Sequence, residues 1–288
     1  MMDAQGRQAQ GPLAILAGGG VLPFAVADAA RESGRDIVLF AIKGAADVTR
    51  VAGYPHHWVG WGELGKLIAA LRKESCRDIV LIGSLVRPSL WRAALDFRVL
   101  AMLPTLISML RGGDNHVLST VARIAERYGF RIVAAHEVAP NILVPAGEIT
   151  ARKPDAGERE DIQRGLGLLH AMGPFDVGQG AVVINHHVVA VEGIEGTDAM
   201  LARVAELRRG GRIKAAPGQG VLVKAPKPQQ DRRFDLPAIG PQTIENVVAA
   251  GLAGVAVMAG ETVIAEPEAV IRAADQAGVF VVGLEAAP

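Results

Sequence analysis

Six charged side chains crowd one proline-broken stretch, KAPKPQQDRRFDLPAIG over residues 224–240: Lys224, Lys227, Asp231, Arg232, Arg233 and Asp235. Proline fixes φ and shrinks the unfolded ensemble, so such a ribbon can hold side chains still. Lysine and arginine offset phosphate charge. An aspartate beside them can bind Mg²⁺ or orient water in phosphoryl transfer. The residues alone leave two readings open, an active-site ribbon or a connector with solvated charges.

Other stretches carry chemistry too. AGGGVLP (17–23) follows an apolar run and opens a helix. Glycines let backbone approach a phosphate, and a helix N-terminus offers free N–H groups, so Gly18, Gly19, Gly20 and Val21 are candidate phosphate or nucleotide contacts. The dinucleotide fingerprint fits only in part. Gly18 and Gly20 match its first two glycines, but Pro23 stands at the third, and Lys43 ends the next strand where a NAD ribose calls for a carboxylate. The competing reading is a tight strand-to-helix turn. IGSLVRP (82–88) offers Gly83, Ser84 and Arg87 at another strand end, where ligands of open α/β sheets gather. In DVGQGAVV (176–183) the Gln179 amide is uncrowded between two glycines. VEGIEGTDAML (191–201) puts Glu195, Thr197 and Asp198 at a glycine-bounded turn, with Thr197 the expected helix N-cap and Asp198 in the first turn.

Histidines point less clearly. His136–Glu137 ends an expected strand, where neighbours face opposite ways and share no metal. His56–His57 falls in a loop, and His186–His187 falls at an expected hairpin turn about Asn185–His186. No zinc spacing, nucleophile elbow or P-loop lysine motif occurs.

These residues need a scaffold. Continuous apolar runs at 13–17, 36–42, 78–83 and 131–135 alternate with amphipathic helical stretches at 23–34, 63–75, 94–111 and 115–128. That pattern predicts βαβ units and a parallel, Rossmann-like sheet over residues 13–138, after a flexible tail 1–12. The stripe Leu95, Val99, Leu103, Leu106, Ile107 and Leu110 reads as core, with a greasy groove for acyl chains as the minority reading, and Asp114 reads as a cap. Periodicity lapses over 139–155, a linker. A second α/β domain with a mixed sheet follows over 156–288, with helices at 155–172, 197–209, 241–251 and 267–277.

Composition sets bounds. The 288 residues are 50% hydrophobic and 21% charged, enough for a packed core. Thirty Lys and Arg balance thirty Asp and Glu, which gives no bulk attraction to nucleic acid. The one cysteine, Cys76, excludes an intrachain disulfide and fits a reducing cytosol. The polar start lacks a signal-peptide pattern, and no uninterrupted apolar run is long enough for a membrane span.

Taken together, AGGGVLP, GGDN, AHEV, DVGQGAVV, EGTDAMLARVAEL, KAPKPQQDRRFDLPAIG and AGLAGVAV resemble, in this order, the LpxI type of UDP-2,3-diacylglucosamine pyrophosphatase. The resemblance covers nearly all of the chain after the first dozen residues. It implies hydrolysis of UDP-2,3-diacylglucosamine to UMP and 2,3-diacylglucosamine 1-phosphate in lipid A biosynthesis, with a divalent cation such as Mg²⁺. It implies two α/β domains with the substrate between them. The family's essential aspartate falls on Asp235, as catalytic group and metal ligand. Its substrate contacts fall on Gly20, Val21, Gly83, Ser84, Gln179, Thr197 and Arg233, and Lys224 and Lys227 join them as ribbon cations. Such a protein is expected to be cytoplasmic and to visit the cytoplasmic face of the inner membrane for its lipid substrate. A homodimer stays open. The alternatives are a non-catalytic UDP-sugar-binding or regulatory protein and a nicotinamide-dependent oxidoreductase, against which Lys43 and Pro23 argue.

Overall fold

The structure is a computed structural model that describes residues 11–60, 62–84, 122–227 and 236–285. It is α/β and divides into two compact units, with the boundary after Asn141.

In the first unit, β1 (Leu13–Ala17), β2 (Ile37–Ile42), β3 (His56–Val59), β4 (Asp78–Ile82) and β5 (Arg131–Ile132) form one parallel sheet in the order β3-β2-β1-β4-β5. Helices α1 (Leu22–Glu32), α2 (Val48–Val51) and α3 (Leu64–Lys73) connect the first four strands. Parallel strands need such crossovers, and helices then cover the faces, so β2 is buried at all six positions, IVLFAI. Val38 and Phe40 pack with Ile68 and Leu71 of α3 on one face, while Leu13, Ile15 and Leu39 of the opposite pleat are also fully buried. The order reverses between β1 and β4, which makes their carboxyl ends the topological switch point where open sheets bind ligands.

Asp78 anchors this sheet from its other end. Arg131 donates to both of its oxygens at 2.8 and 2.9 Å, and Arg35 donates to Oδ2 at 2.6 Å. Burial works to raise the Asp78 pKa, but the bonds from Arg131 and Arg35 outweigh it and hold the carboxyl below its ordinary range.

In the second unit the sheet is mixed, in the order β6-β13-β11-β9-β7-β8. Its strands are β6 (Gly147–Glu148), β7 (Gly180–Ile184), β8 (His187–Val191), β9 (Val221–Lys224), β11 (Gly254–Met258) and β13 (Phe280–Leu284). A separate parallel pair joins β10 (Ala238–Ile239) to β12 (Val263–Ile264). Helix α5 (Ala156–Met172) covers one face, packing Ile162 and Leu169 on Ala181, Val221 and Val223. Helices α6 (Gly196–Arg209), α7 (Pro241–Ala249) and α8 (Pro267–Ala277) cover the other, with Met200, Val204, Ile244 and Val270 on Val182, Leu222 and Val255. The alternation of Val221, Leu222 and Val223 between the two clusters is the two-residue period of a strand buried on both sides.

Several local expectations are corrected. His56 and His57 lie on the edge strand β3, not in a loop, and His57 Nε2 meets Glu74 Oε1 at 2.9 Å. The strand expected over 131–135 is β5 and stops at Ile132, and His136–Glu137 belong to a short helix, α4 (Ala135–Val138). Gly147–Glu148, within the stretch read as a linker, pair with β13. The hairpin turn is at Asn185–His186, both at positive φ (47° and 64°), as a two-residue type I′ turn requires. The buried Asp161 on α5 accepts both turn N–H groups, at 3.0 and 2.6 Å, which explains why two non-glycine residues tolerate that backbone. Of the helices expected over 94–111 and 115–128, residues 85–121 lie outside the described chain, and 122–127 are helical.

Candidate functional site

Candidate residues gather in two places, one in each unit. In the first unit the loops leaving β1 and β4 are stitched together by backbone. Gly19 N–H donates to Ser84 O at 2.8 Å, and Ser84 N–H donates to Gly19 O at 2.9 Å. Gly18 N–H reaches Ile82 O at 2.9 Å. Gly83 has φ +101°, and a Cβ there would lie 2.7 Å from Gly19 O. Only glycine allows this approach without moving the partner strand. Gly20 turns the chain at φ +86° with nothing within 4 Å of a Cβ, and Val21 caps α1. Gly18, Gly19, Gly20, Val21, Gly83 and Ser84 therefore come together at the switch point beside a helix N-terminus, with Gly18 and Gly19 buried and Gly20 and Ser84 exposed.

Lys43, the residue that argued against NAD, is engaged nearby. Its ammonium lies 3.2 Å from Glu63 Oε2, which also accepts the Gly60 N–H at 2.7 Å. Lys66, then Gly60 and Lys43, push the Glu63 pKa down to about 2.

In the second unit a polar chain runs along one end of the sheet. Lys224, at the last position of β9, is only 6% exposed although it carries an ammonium. Its Nζ donates to Thr197 Oγ1 and to Ala238 O, both at 2.9 Å. Thr197 Oγ1 donates to Glu192 Oε1 at 2.9 Å. Glu192 Oε2 accepts the Gln179 N–H at 3.1 Å. Lys224, Thr197, Glu192 and Gln179 thus form one connected set drawn from β9, α6, the end of β8 and the start of β7.

Two expectations about this set change. Thr197 is not the N-cap. Helix α6 starts one residue earlier, with Glu195 at the cap, and the Thr197 hydroxyl is spent on Glu192 and Lys224. Glu195 pairs with Arg203 at 2.9 Å; its own backbone N–H and then Arg203 hold its carboxyl below the usual range. Asp198 accepts from Asn246 Nδ2 at 2.8 Å and so ties α6 to α7. Lys227 lies apart from the chain of four, with its Nζ 2.6 Å from Asp176 Oδ1.

The LpxI N-terminal domain matches residues 12–142, and the LpxI C-terminal domain matches residues 145–282. The chain belongs to the LpxI family. It is 42% identical over 273 residues to UDP-2,3-diacylglucosamine pyrophosphatase LpxI of Caulobacter vibrioides, covering 95% of this chain and 97% of that protein.

The two matched domains between them cover both patches. Asp235, Arg233, Asp231, Arg232 and Arg87 lie outside the described residues, as do Leu95, Val99, Leu103, Leu106, Ile107, Leu110 and Asp114. Among the described residues, no group of three His, Cys, Asp or Glu side chains could hold a metal ion. Among them too, no helix is long and apolar enough to cross a membrane.

Glu192 was not anticipated from sequence, although a signal for it existed. Counting outward from the Asn185–His186 turn puts Glu192 opposite Gln179 in a regular hairpin. A bulge between Val182 and Val183 in the register slides it to Gly180, whose carbonyl accepts the Glu192 N–H at 2.8 Å. The glycines around Gln179 then have a steric cause. A Cβ at Gly178 would lie 2.3 Å from Glu192 O, and one at Gly180 would lie 2.8 Å from Glu192 Oε2.

Proposed function

We propose that this protein hydrolyses the pyrophosphate of UDP-2,3-diacylglucosamine to UMP and 2,3-diacylglucosamine 1-phosphate, with a divalent cation, Mg²⁺, as cofactor. The observation that carries this reading is 42% identity, over 95% of the chain, to a curated pyrophosphatase of that substrate. The reaction adds one water across the P–O–P linkage, so no redox partner is needed. A neutral protein of this kind would work in the cytoplasm and meet its lipid substrate at the inner face of the membrane.

The residues divide the labour by chemistry. Backbone amides of Gly20, Val21 and Gly83 suit phosphate oxygens, because they are donors without bulk, while the Gly18, Gly19 and Ser84 N–H groups hold the two loops together. Gln179 and Thr197 suit the polar groups of a nucleotide sugar. Arg233 offers a planar fork to a phosphate, and Lys227 adds a flexible cation. Lys224 holds Thr197 in place. Asp235 orients the attacking water, and catalysis then rests on placement and charge stabilisation.

Mg²⁺ keeps several waters and takes one or two carboxylates together with substrate phosphates, so Asp235 and the substrate's own oxygens make an adequate donor set. When bound, the cation neutralises charge on the pyrophosphate. EDTA is therefore expected to stop UMP release, and excess Mg²⁺ to restore it. Undiminished release in EDTA would remove the cation from this account.

A further inference from the structure

We propose that Glu192 is a positioning residue that fixes the direction of the Thr197 hydroxyl, so that Thr197 meets its substrate only as a hydrogen-bond acceptor. This deepens the reading above and rests on Thr197 being a substrate contact.

A threonine hydroxyl has one proton and two lone pairs. The proton of Thr197 goes to Glu192 Oε1 at 2.9 Å. One lone pair takes the Lys224 ammonium at 2.9 Å. Both directions are forced, since a carboxylate only accepts and an ammonium only donates. What remains for a ligand is one lone pair. Phosphate oxygens at neutral pH are acceptors, so Thr197 cannot serve the pyrophosphate. It can serve an O–H or N–H of the nucleoside or the sugar. Thr197 is half-buried and stands in the first turn of α6, which leaves that lone pair a route outward.

Glu192 is well held for this task. Its backbone is bonded on both sides, to Gly180 O at 2.8 Å and from Gly178 N at 3.0 Å. Its second oxygen accepts the Gln179 N–H at 3.1 Å. One carboxylate therefore sets both the Thr197 hydroxyl and the backbone that carries Gln179.

Glu192→Gln separates orientation from bulk. The amide keeps the shape but has one acceptor oxygen instead of two. If that oxygen stays on the Gln179 N–H, the NH₂ group faces Thr197 Oγ1 and turns the hydroxyl proton outward. If it stays on Thr197, two donors oppose each other at Gln179. The second arrangement leaves two donors facing each other with no acceptor, so the first prevails, and the lone pair that Thr197 offers a substrate donor is lost.

Steady-state kinetics on UDP-2,3-diacylglucosamine test this. Glu192→Gln should raise KM about tenfold, the scale of one mispaired hydrogen bond, while kcat falls less than about threefold. Thr197→Val should raise KM by a similar factor. In the Thr197→Val background, adding Glu192→Gln should change KM by less than about twofold, because the group it acts through is gone. Merely structural damage would persist in that background, and multiplying KM effects would overturn the proposal. Competitive inhibition gives a second readout. Glu192→Gln should weaken inhibition by UMP or by 2,3-diacylglucosamine 1-phosphate, whichever carries the donor, and leave inhibition by inorganic pyrophosphate unchanged. Weakened pyrophosphate inhibition, or no change with either product, would overturn it. Wild-type turnover with an unchanged KM in Glu192→Gln sinks the positioning role alone, whereas absence of wild-type turnover sinks the reading beneath it.

Discussion

Asp235→Ala is expected to lower turnover of UDP-2,3-diacylglucosamine by about a thousandfold or more, while the protein still binds the substrate. The expectation follows from what a single carboxylate can do at a pyrophosphate. It can hold a divalent cation against the phosphates or direct a water at phosphorus, and positioned groups of this kind contribute about 10²–10⁴ in rate. It adds little to ground-state affinity, because the substrate's recognition elements are its nucleoside, sugar and phosphate oxygens, which are met elsewhere. The check is a single-turnover rate together with mass spectrometry of whatever copurifies with the variant. A UDP-linked diacyl sugar on an inactive protein is the predicted result. A variant within about tenfold of wild type would place the catalytic group on another residue.

Lys224→Met is expected to lower kcat/KM by about tenfold and to change folding stability by less than about 2 kcal/mol. The two magnitudes are set by different terms. Methionine matches the length and bulk of lysine at this 6% exposed position, so core packing is retained. Thr197 Oγ1 and Ala238 O each lose a donor now at 2.9 Å, which costs about 1–3 kcal/mol per group where no water replaces it. Both groups are half-buried, so water recovers part of that, and removing a buried ammonium also removes its desolvation cost. Function has no such compensation. The ammonium occupies one lone pair of Thr197 and supplies positive charge beside Glu192, and an apolar chain does neither. Urea unfolding and steady-state kinetics on the same preparation separate the effects. A loss of several kcal/mol with kcat/KM falling only in proportion to folded protein would make Lys224 scaffold alone.

Much of the scaffold was readable from periodicity. The expected strand over 13–17 and helix over 267–277 match β1 and α8 residue for residue, because buried parallel strands are continuously apolar and α8 opens on a proline and closes on Gly278. Edges were harder to read. β3 is mostly half-exposed and begins with two histidines, so no apolar run or clean alternation marks it. β6 is two residues long and exists only because β13 supplies its hydrogen bonds. Thr197 looked like a cap because threonine before an acidic residue is a good local cap. The tertiary partners Glu192 and Lys224, 5 and 27 residues away, claimed its hydroxyl instead.

The candidate site was legible in proportion to how local its parts are. The glycines at 18–20 and 83 declare themselves, since close backbone approach leaves glycine little alternative. Lys224 was visible as a charge, but its burial was not, since that depends on β9 being covered on both faces. Glu192 is an ordinary glutamate until the hairpin folds and its bulge turns it onto Gly178 and Gly180.

The most direct test of the central claim is product identity. Purified protein, UDP-2,3-diacylglucosamine and Mg²⁺ are incubated, and the nucleotide and lipid products are resolved and weighed. The account predicts UMP and 2,3-diacylglucosamine 1-phosphate in equal amounts, at a rate proportional to enzyme. Bound substrate that stays intact after prolonged incubation would contradict it and mark the protein as a binder of UDP-sugar lipids rather than a hydrolase.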